Sequence, residues 1–344
     1  MKAALRLAAS LALSAVFLYL AARGVSWGTV WEAMRAARLI YVVPMVVGSV
    51  LPLCFRAWRW GVLVRPLRPV GFGSLFMATC IGFAANMLLP LRAGEVARPW
   101  ALAQREGIPF AQAMATVALE RLFDMAVLLL LFAVATFTLP VPEDWKQYGW
   151  FFLVAFGVLF ATLFVLERYP TPALRLAEVA LRPIPPAVSV RLLALARSFV
   201  EGLASLGSAR AVVIAFLHSL GVWLSIAISF GSGLSAFSLD VPWVPAALTT
   251  TTFVAIAVSI PGGPGFIGMF QAGCVVALEV FDVSKSVAFS YSVLTHLVQF
   301  ASTVALGLYF FAAEGFRVTD IRRLKAAGDL VGATGLPGEK NVGS

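Results

Sequence analysis

Apolar runs of about 20 residues, each long enough to cross roughly 30 Å of hydrocarbon as a helix, recur along this whole chain. Only 12% of the 344 residues are charged and 60% are hydrophobic, whereas soluble domains carry about 25% charged residues. The mean hydropathy is +0.91. Because a backbone inside a bilayer must satisfy its own hydrogen bonds, the sequence predicts an all-α polytopic membrane protein.

Six of these runs are uninterrupted and predict full transmembrane helices. They are Leu5–Ala22, Leu39–Phe55, Ala113–Leu139, Gly149–Leu166, Ala211–Phe237 and Ser286–Ala313. The first run follows Lys2 and Arg6, a pattern that also occurs in cleaved signal peptides. Its length and its poor small-residue cleavage pattern favour a helix that is retained.

Two further apolar segments are broken near their middle and do not fit simple crossings. Phe72–Arg105 contains PLRAGE at Pro90–Glu95, and Trp243–Phe281 contains PGGPG at Pro261–Gly265. Such breaks free backbone groups that hydrocarbon cannot satisfy, so they survive only where protein or a water-filled cavity surrounds them. The pattern predicts two re-entrant hairpins, each of which enters and leaves the membrane on one face.

The basic residues predict the orientation, because loops that face the cytoplasm carry the excess of Lys and Arg. If both broken segments are re-entrant, most of the 26 Lys and Arg residues lie on the cytoplasmic side. If both cross the membrane, the arginine-rich loop from Arg168 to Arg210 moves outside. The sequence therefore predicts an integral protein of the plasma (inner) membrane of a prokaryote, with cytoplasmic N- and C-termini.

With this topology the chain repeats itself in the opposite orientation. Residues 1–139 and 140–313 each contain two helices, a broken hairpin and a further helix. The second helix begins 51 residues before Pro90 in the first half and 50 residues before Pro261 in the second. Inverted repeats with interrupted helices are a transporter architecture in which both halves line the substrate site. Two stretches are expected in the cytoplasm, an amphipathic segment at 167–209 and a basic, flexible tail at 314–344.

The turn of the first hairpin concentrates charge and is a candidate anion site. Arg92 and Arg98 carry planar, permanently charged guanidinium groups that match phosphate oxygens. A helix beginning near Gly94 would add free backbone N–H groups, and Glu95 would hold an arginine in place when no lipid is bound. The alternative is that these are loop charges that only set the topology.

Charges inside the following helix form a second candidate site. Glu120 and Asp124 are one turn apart on the same face, and Arg121 is three residues before Asp124. We expect an ion pair within this helix to relieve the repulsion between the two carboxylates. Ionisable groups in a transmembrane helix indicate function by default, and a structural clamp between helices is the alternative.

The second half carries a milder polar set. A polar stripe follows its last helix at helical spacing, namely Ser292, His296, Gln299 and Thr303. The histidine is interpreted either as a satisfied bond between helices or as a proton carrier. The broken segment contributes three glycines, Gly262, Gly263 and Gly265. They would let a lipid head group or the opposite hairpin approach the backbone, unless they form only a tight turn.

Cys54–Arg68 mixes Arg with Trp, as stretches at the membrane interface do. It predicts an anchor at the cytoplasmic end of the second helix. In an alternative interpretation, the same stretch also gathers anionic lipid. The three cysteines, Cys54, Cys80 and Cys274, are too scattered for a disulfide framework or a metal site.

Together these motifs resemble the flippase-like integral membrane family that shares the transmembrane domain of lysylphosphatidylglycerol synthase. The resemblance extends from Leu5 to Ala313. It rests on N-x-x-x-P-x-R-x-G-E-x-x-R from Asn86 to Arg98, on T-x-x-x-E-R-x-x-D ending at Asp124, and on PGGPGFIG from Pro261 to Gly268. The family implies movement of a lipid, often one with a modified or glycosylated head group, between leaflets.

The resemblance also brings in two positions of the second half. Many relatives pair a Glu after the glycine-rich turn with an Arg on the last helix, whereas this chain has Gln271 and His296. The predicted substrate-binding set is Asn86, Pro90, Arg92, Gly94, Glu95, Arg98, Glu120, Arg121, Asp124, Pro261, Gly262, Gly263, Gly265, Gln271, His296 and Gln299. The 31 residues after Ala313 are too few for the aminoacyltransferase domain of the synthase, so we do not expect the chain to make aminoacylated lipid.

Translocation of an anionic lipid is therefore the predicted function. We expect no catalytic residue, no metal and no cofactor, because no nucleophile lies beside a base and no metal-ligand cluster is seen. A net charge of +9 follows from membrane topology and needs no nucleic acid. The alternatives are a proton- or ion-coupled carrier of a small polar solute, an accessory subunit for a lipid-modifying or glycosyl-transferring enzyme, and an enzyme acting on a lipid phosphate. The sequence also leaves open whether the chain forms a homo-oligomer. A lateral opening between helices would favour a lipid substrate.

Overall fold

The computed structural model of the chain describes residues 2–90, 92–138, 146–183, 185, 188–190, 192–193, 197, 200, 208–260 and 262–316. Every regular element in these residues is helical. In chain order the α-helices are α1 (Lys2–Ala22), α2 (Trp27–Ala36), α3 (Val42–Val64), α4 (Phe72–Leu88), α5 (Gly94–Glu106), α6 (Phe110–Thr138), α7 (Lys146–Arg168), α8 (Pro170–Leu181), α9 (Ala209–Ala236), α10 (Trp243–Ser259), α11 (Met269–Glu279) and α12 (Lys285–Ala313). Single 3-10 turns precede α3 and α11, at Leu39–Tyr41 and Pro264–Phe266.

Four of the described helices are long and apolar enough to cross a membrane, which confirms the all-α polytopic class. They are Leu39–Val64, Lys146–Leu166, Ala209–Ala236 and Lys285–Ala313. The apolar part of α1 and the whole of α2 form a pair bent by 84°, which adds a fifth crossing if the pair counts as one. Helix α6 has 29 residues and carries three charged residues within its first 15. The number of full crossings, six in the sequence interpretation, stays a prediction.

The predicted break in the first apolar segment is present and has a local cause. After α4, Leu89 is extended (φ −113°, ψ 146°), because the ring of Pro90 disfavours helical angles in the residue before it. The chain then turns back, and α5 begins at Gly94 with its N–H donated to Asn86 Oδ1 at 2.8 Å. A Cβ on Gly94 would overlap the carbonyl oxygen of Gly82 in α4. Helices α4 and α5 thus form an antiparallel hairpin in backbone contact.

The second predicted break separates α10 from α11. Ile260 is extended (φ −69°, ψ 131°) and again precedes a proline, although Pro261 itself lies outside the described residues. Gly265 has a φ of 67°, an angle that glycine adopts without a Cβ clash. A Cβ on Gly273 would contact the backbone of Val254, so α11 folds back along α10.

Helices α3 and α9, which are equivalent in the predicted repeat, pack against each other in opposite directions. Near the start of α3 the Met45 carbonyl accepts from Ser229 Oγ at 3.1 Å, and near its end Arg59 donates to Ser219 Oγ at 2.7 Å. The contact is close because Gly48 has no side chain; a Cβ there would lie 2.7 Å from the backbone nitrogen of Ser229. Equivalent helices of an inverted repeat run in opposite directions, as these two do, and the repeat as a whole stays a prediction.

Each hairpin packs against the last helix of the other half. Cys80 of α4 lies against Gly307 of α12. In the second hairpin, Phe253 of α10 stacks against Phe132 of α6, with ring centroids 6.4 Å apart. Because each hairpin packs against a helix of the other half, both hairpin turns lie in the middle of the bundle.

Little of the predicted cytoplasmic segment at 167–209 is described beyond α8. That helix exposes Leu176 and Val179, as a helix lying at a membrane interface does. Most of residues 184–207 and residues 317–344 of the predicted tail lie outside the described part of the chain. The domain boundaries at 139 and 313 remain untested expectations.

Candidate functional site

Both hairpins line a cavity of about 390 Å³ inside the helix bundle. Helices α3, α6, α9 and α12 complete its walls. Six of the residues predicted to bind substrate line it, namely Asn86, Arg92, Glu95, Arg121, Asp124 and Gln299. The two predicted halves therefore contribute to one cavity at the level of their helix breaks.

The lining of this cavity is amphipathic. Charged side chains lie on α3, α5, α6 and the first hairpin turn, while Met87, Leu128, Ile226 and Val254 supply apolar walls. A ligand with a charged end and an apolar body matches both kinds of surface.

The cavity has a mouth along α6. Arg121 and Met125 both line the cavity, and yet the Arg121 side chain is 45% exposed and Met125 is 51% exposed. Both lie near the middle of this 29-residue helix, away from its two ends. The cavity thus opens on the side of the bundle.

Arg92 ties the turn of the first hairpin to the second hairpin. Its backbone has a φ of 54°, which is uncommon outside glycine. Its Nη2 donates to the carbonyl oxygen of Val258 at 2.5 Å, at the carbonyl end of α10 where a cation is favourable. Its Nη1 lies 3.5 Å from Glu95 Oε1, and the side chain remains 29% exposed.

The backbone N–H groups at the start of α5 are not free, so the predicted helix-terminus anion site is wrong. The Gly94 N–H donates to Asn86 Oδ1, and the Glu95 N–H donates to the Arg92 carbonyl at 3.0 Å. The next two N–H groups bond to the carbonyl of Ala93. Asn86 from the other arm of the hairpin and the carbonyls of the turn satisfy the donors that a ligand would need.

Arg98 does not line the cavity, contrary to the prediction that it holds a phosphate beside Arg92. Its side chain is 3% exposed, and its terminal nitrogens bond to the two oxygens of Glu120 at 2.5 and 3.1 Å. Its guanidinium carbon also lies 4.0 Å from the centroid of the Trp60 ring. Because both terminal nitrogens of Arg98 are bonded to Glu120, they are not available to a ligand. Arg98 therefore supports the wall of the cavity from its outer side.

Arg59 of α3 connects the two carboxylates of α6. Its Nη2 lies 3.3 Å from Glu120 Oε2, and its Nη1 lies 2.5 Å from Asp124 Oδ1. Arg59 and Glu120 are fully buried. This bridge clamps α3 to α6 in the interior of the bundle.

The predicted pair within α6 exists but does not neutralise the cluster. Arg121 lies 3.7 Å from Asp124 and is half-exposed. The buried charges of Glu120 and Asp124 are instead met by Arg59 and Arg98 from other helices. The expected ion pair within one helix is thus present, and the shorter contacts to the two carboxylates, which were not predicted, come from α3 and α5.

Gln271 and His296 form a closed hydrogen-bond chain in the second half. The carbonyl of Gly265 can only accept, so His296 Nε2–H donates to it at 2.8 Å and His296 Nδ1 accepts from the Gln271 amide at 3.0 Å. Gln271 Oε1 accepts the N–H of Gly268 at 2.7 Å, and the imidazole stacks on Phe270. Neither Gln271 nor His296 lines the cavity. The geometry is that of the satisfied bond between helices, one of the two interpretations of this histidine.

The glycines of the second turn lie against both α1 and the opposite hairpin. The Gly263 N–H donates to Ser14 Oγ at 2.7 Å, and Gly262 lies against the same serine. A Cβ on Gly265 would lie 3.4 Å from the carbonyl of Met87 in the first hairpin. Approach of the opposite hairpin agrees with the sequence interpretation, whereas the contact with α1 was not predicted.

We expect His296→Ala to lower the free energy of unfolding by about 2 kcal/mol, because it leaves the Gly265 carbonyl and the Gln271 amide without partners. Melting temperatures in detergent measure the effect. Gln299→Leu is the matched control one turn away on α12, since the Gln299 amide nitrogen has no partner to lose. Equal melting shifts in the two variants would show that the chain through His296 contributes nothing.

Two arginines of the site, Arg56 and Arg59, lie outside the predicted set. The sequence interpretation ended the second helix at Phe55 and assigned the following residues to an interface anchor. In the structure α3 continues to Val64, so Arg56 and Arg59 lie inside the bundle, 9% and 0% exposed. The apolar Gly61–Val64 that follows them was the signal that the helix continues.

Comparison with known proteins gives one family and two relatives. A model of the family described as the lysylphosphatidylglycerol synthase TM region matches residues 7–307. A UPF0104 membrane protein of Methanothermobacter thermautotrophicus is 25% identical over 306 residues, which cover 84% of this chain and 86% of that protein. Glycosyltransferase AglD of Haloferax volcanii is 25% identical over 313 residues, which cover 80% of this chain and 48% of that protein. The chain thus matches about half the length of the second relative.

Proposed function

The chain belongs to the family of the lysylphosphatidylglycerol synthase transmembrane region, and from that premise we propose that it moves a lipid with an anionic head group between the two leaflets of a membrane. The proposal concerns an integral membrane protein, which we place in the inner membrane of a prokaryote. It assigns no chemical step to the chain, so the lipid is chemically unchanged by the transport.

The observation that carries the proposal is the amphipathic cavity between the two hairpins, with its mouth on the side of the bundle. A lipid has to keep its tails in hydrocarbon while its head group crosses a polar path, which calls for an opening between helices. Arg121 at this mouth is a half-exposed cation near the middle of α6. Arg121 contacts Asp124 on one side, and its exposed donors on the other side are accessible to a passing head group. A carrier of a small polar solute has no use for a lateral mouth.

Translocation also requires the cavity to open toward each leaflet in turn. The contact between Arg92 and the Val258 carbonyl joins the two hairpins at the cavity wall. In the proposed cycle this contact breaks when the halves separate, and the head group takes the place of the carbonyl as the partner of Arg92.

A second candidate function follows from the relative named as a glycosyltransferase. In this alternative the chain presents a lipid to a separate glycosyl-transferring enzyme, without moving it on its own. A stable complex with such an enzyme, and no lipid movement in the absence of that enzyme, would favour it.

The test is a reconstitution in liposomes. Purified protein is incorporated at about one copy per vesicle, and a short-chain fluorescent phosphatidic acid is loaded into both leaflets. Albumin then extracts the probe from the outer leaflet, and the extracted fraction is followed in time. We expect extraction to pass beyond the outer-leaflet half in minutes with the protein. Extraction that stops at half, as in vesicles with an unrelated helical membrane protein, would reject autonomous translocation.

A further inference from the structure

Arg56 is a buried cation that no described carboxylate contacts directly. It lines the cavity from α3 and is 9% exposed. Within the described part of the chain its guanidinium makes no hydrogen bond or ion pair, and its Nε is buried without a partner. Its guanidinium carbon lies 4.4 Å from the centroid of the Phe83 ring, a contact that compensates only part of the lost hydration.

Asp124 is the carboxylate that acts on Arg56 electrostatically, but it is already in contact with Arg59 and Arg121. Eight charged residues lie in or beside the cavity, namely Arg56, Arg59, Arg92, Arg98, Arg121, Glu95, Glu120 and Asp124. The three carboxylates each contact one or two arginines other than Arg56. Five of the eight line the cavity itself, three arginines and two carboxylates, which leaves one positive charge in excess at the cavity wall.

Unpartnered donors gather at the same cavity. Besides the Nε of Arg56, the Nε of Arg92, the Nε1 of Trp223 and the Nε2 of Gln299 are buried and have no described partner. All four side chains line the cavity. Four buried N–H donors without a described partner around one cavity call for a ligand rich in acceptor oxygens.

We propose that Arg56 is the residue that recognises the ligand, and that the ligand is a lipid whose phosphate ester occupies the cavity between Arg56 and Arg92. This inference rests on the proposed function and names its substrate class. A buried charge without a direct partner is unfavourable, so we infer that an arginine kept here with no carboxylate in contact is matched by an anion from outside the chain. A phosphate offers more acceptor oxygens than a carboxylate and accepts bidentate bonds from guanidinium groups.

The lipid part of the proposal follows from the rest of the lining. Leu128, Ile226 and Val254 surround the charged end with apolar surface, and the mouth lies beside Met125. Free phosphate would leave this surface uncovered. The ligand therefore carries its phosphate on an apolar body.

The first test is binding in detergent to delipidated protein, measured by native mass spectrometry and by titration of the melting temperature. The probes are dioleoyl phosphatidic acid, dioleoylglycerol, which differs only by the phosphate, and inorganic phosphate. The variants are Arg56→Gln, Arg56→Lys and the control Arg182→Gln, an exposed arginine of the segment after α8. We expect phosphatidic acid to bind wild type and Arg182→Gln equally and Arg56→Gln about 10- to 100-fold more weakly, with Arg56→Lys between them.

Three binding results would overturn the proposal. Equal affinity of Arg56→Gln and wild type for phosphatidic acid would show that Arg56 does not recognise the ligand. If dioleoylglycerol binds as tightly as phosphatidic acid, the phosphate group is not what the protein recognises. Inorganic phosphate binding as tightly as phosphatidic acid, and through Arg56, would make the ligand a free anion.

The second test compares Arg56 with Arg59, which lies one turn further along α3 and is also buried. Without added lipid, Arg56→Gln is expected to melt at or above the wild-type temperature, because it removes an uncompensated charge. Arg59→Gln is expected to melt well below it, because it removes the partner of Glu120 and Asp124. If Arg56→Gln unfolds as readily as Arg59→Gln, Arg56 is a structural residue and the proposal falls.

Binding in detergent involves no second leaflet, so this proposal and the proposed function fail separately. Binding of phosphatidic acid through Arg56 together with no movement in liposomes would reject translocation and keep the recognition site. Movement of lipid that is unchanged in Arg56→Gln would keep translocation and reject this site.

Discussion

Arg59→Ala is expected to leave almost no folded protein in the membrane. The substitution removes the cation that lies 2.5 Å from Asp124 and 3.3 Å from Glu120, in a region where Arg59 and Glu120 are fully buried. Breaking a buried ion pair on one side costs about 3–5 kcal/mol, because the remaining charge has no water to replace its partner. That is a large part of the total stability of about 5–15 kcal/mol that proteins have. The yield of monodisperse protein and its melting temperature measure the effect.

Arg121→Ala is the control for this prediction, because Arg121 contacts the same Asp124 at 3.7 Å but is half-exposed. We expect it to cost less than about 1 kcal/mol, as exposed ion pairs do. A further check replaces both members of a buried pair. Arg98→Leu combined with Glu120→Leu is expected to be milder than Arg98→Leu alone, because no charge is then left unpaired. If Arg59→Ala and Arg121→Ala behave alike, the carboxylates are not held by Arg59.

Gly94→Ala is expected to prevent the first hairpin from closing, at a cost of about 3 kcal/mol, the upper end for overpacking. Its Cβ would overlap the backbone carbonyl of Gly82 and lie 2.6 Å from Asn86 Oδ1. A backbone carbonyl in the middle of α4 cannot rotate away as a side chain does, so the two arms have to separate. The separation also breaks the hydrogen bond from the Gly94 N–H to Asn86, which lines the cavity. Melting temperature and lipid binding are both measured.

The matched control for the hairpin is Gly73→Ala, at the start of the same helix α4, where an added Cβ meets nothing within 4 Å. There alanine is expected to be neutral or to stabilise by up to about 1 kcal/mol, because it favours the helix more than glycine does. Stability changes of opposite sign for the two substitutions would confirm that the contact between α4 and α5, and not helix propensity, determines the effect at Gly94. Equal and small effects would mean that the hairpin arms are not in backbone contact.

Local features of the hairpins were predictable because their causes lie within a few residues. Proline restricts the residue before it, and Leu89 and Ile260 are extended for that reason. The places where the apolar segments break could therefore be located from Pro90 and Pro261 without knowledge of any neighbour.

The roles of the arginines were not predictable in the same way. Arg92 and Arg98 are six residues apart in one motif, and both were interpreted as phosphate ligands. In the structure Arg92 lines the cavity while Arg98 is bonded to Glu120 of α6. Arg56 was interpreted as part of an interface anchor, because the end of its helix was placed too early. Only the packing of α3, α5 and α6 determines that Arg98 contacts a carboxylate and that Arg56 does not.

The sequence by itself determined that this chain is helical and membrane-embedded, that two of its apolar segments break at Pro90 and Pro261, and that charge is concentrated near the first break. These properties follow from the hydropathy of runs and from the backbone angles of single residues, both of which act over a few residues. The tertiary structure alone decided which charges cancel. Ion pairing depends on distances of a few ångströms between side chains from different helices, such as Arg59 and Asp124, and the order of residues along the chain does not contain those distances.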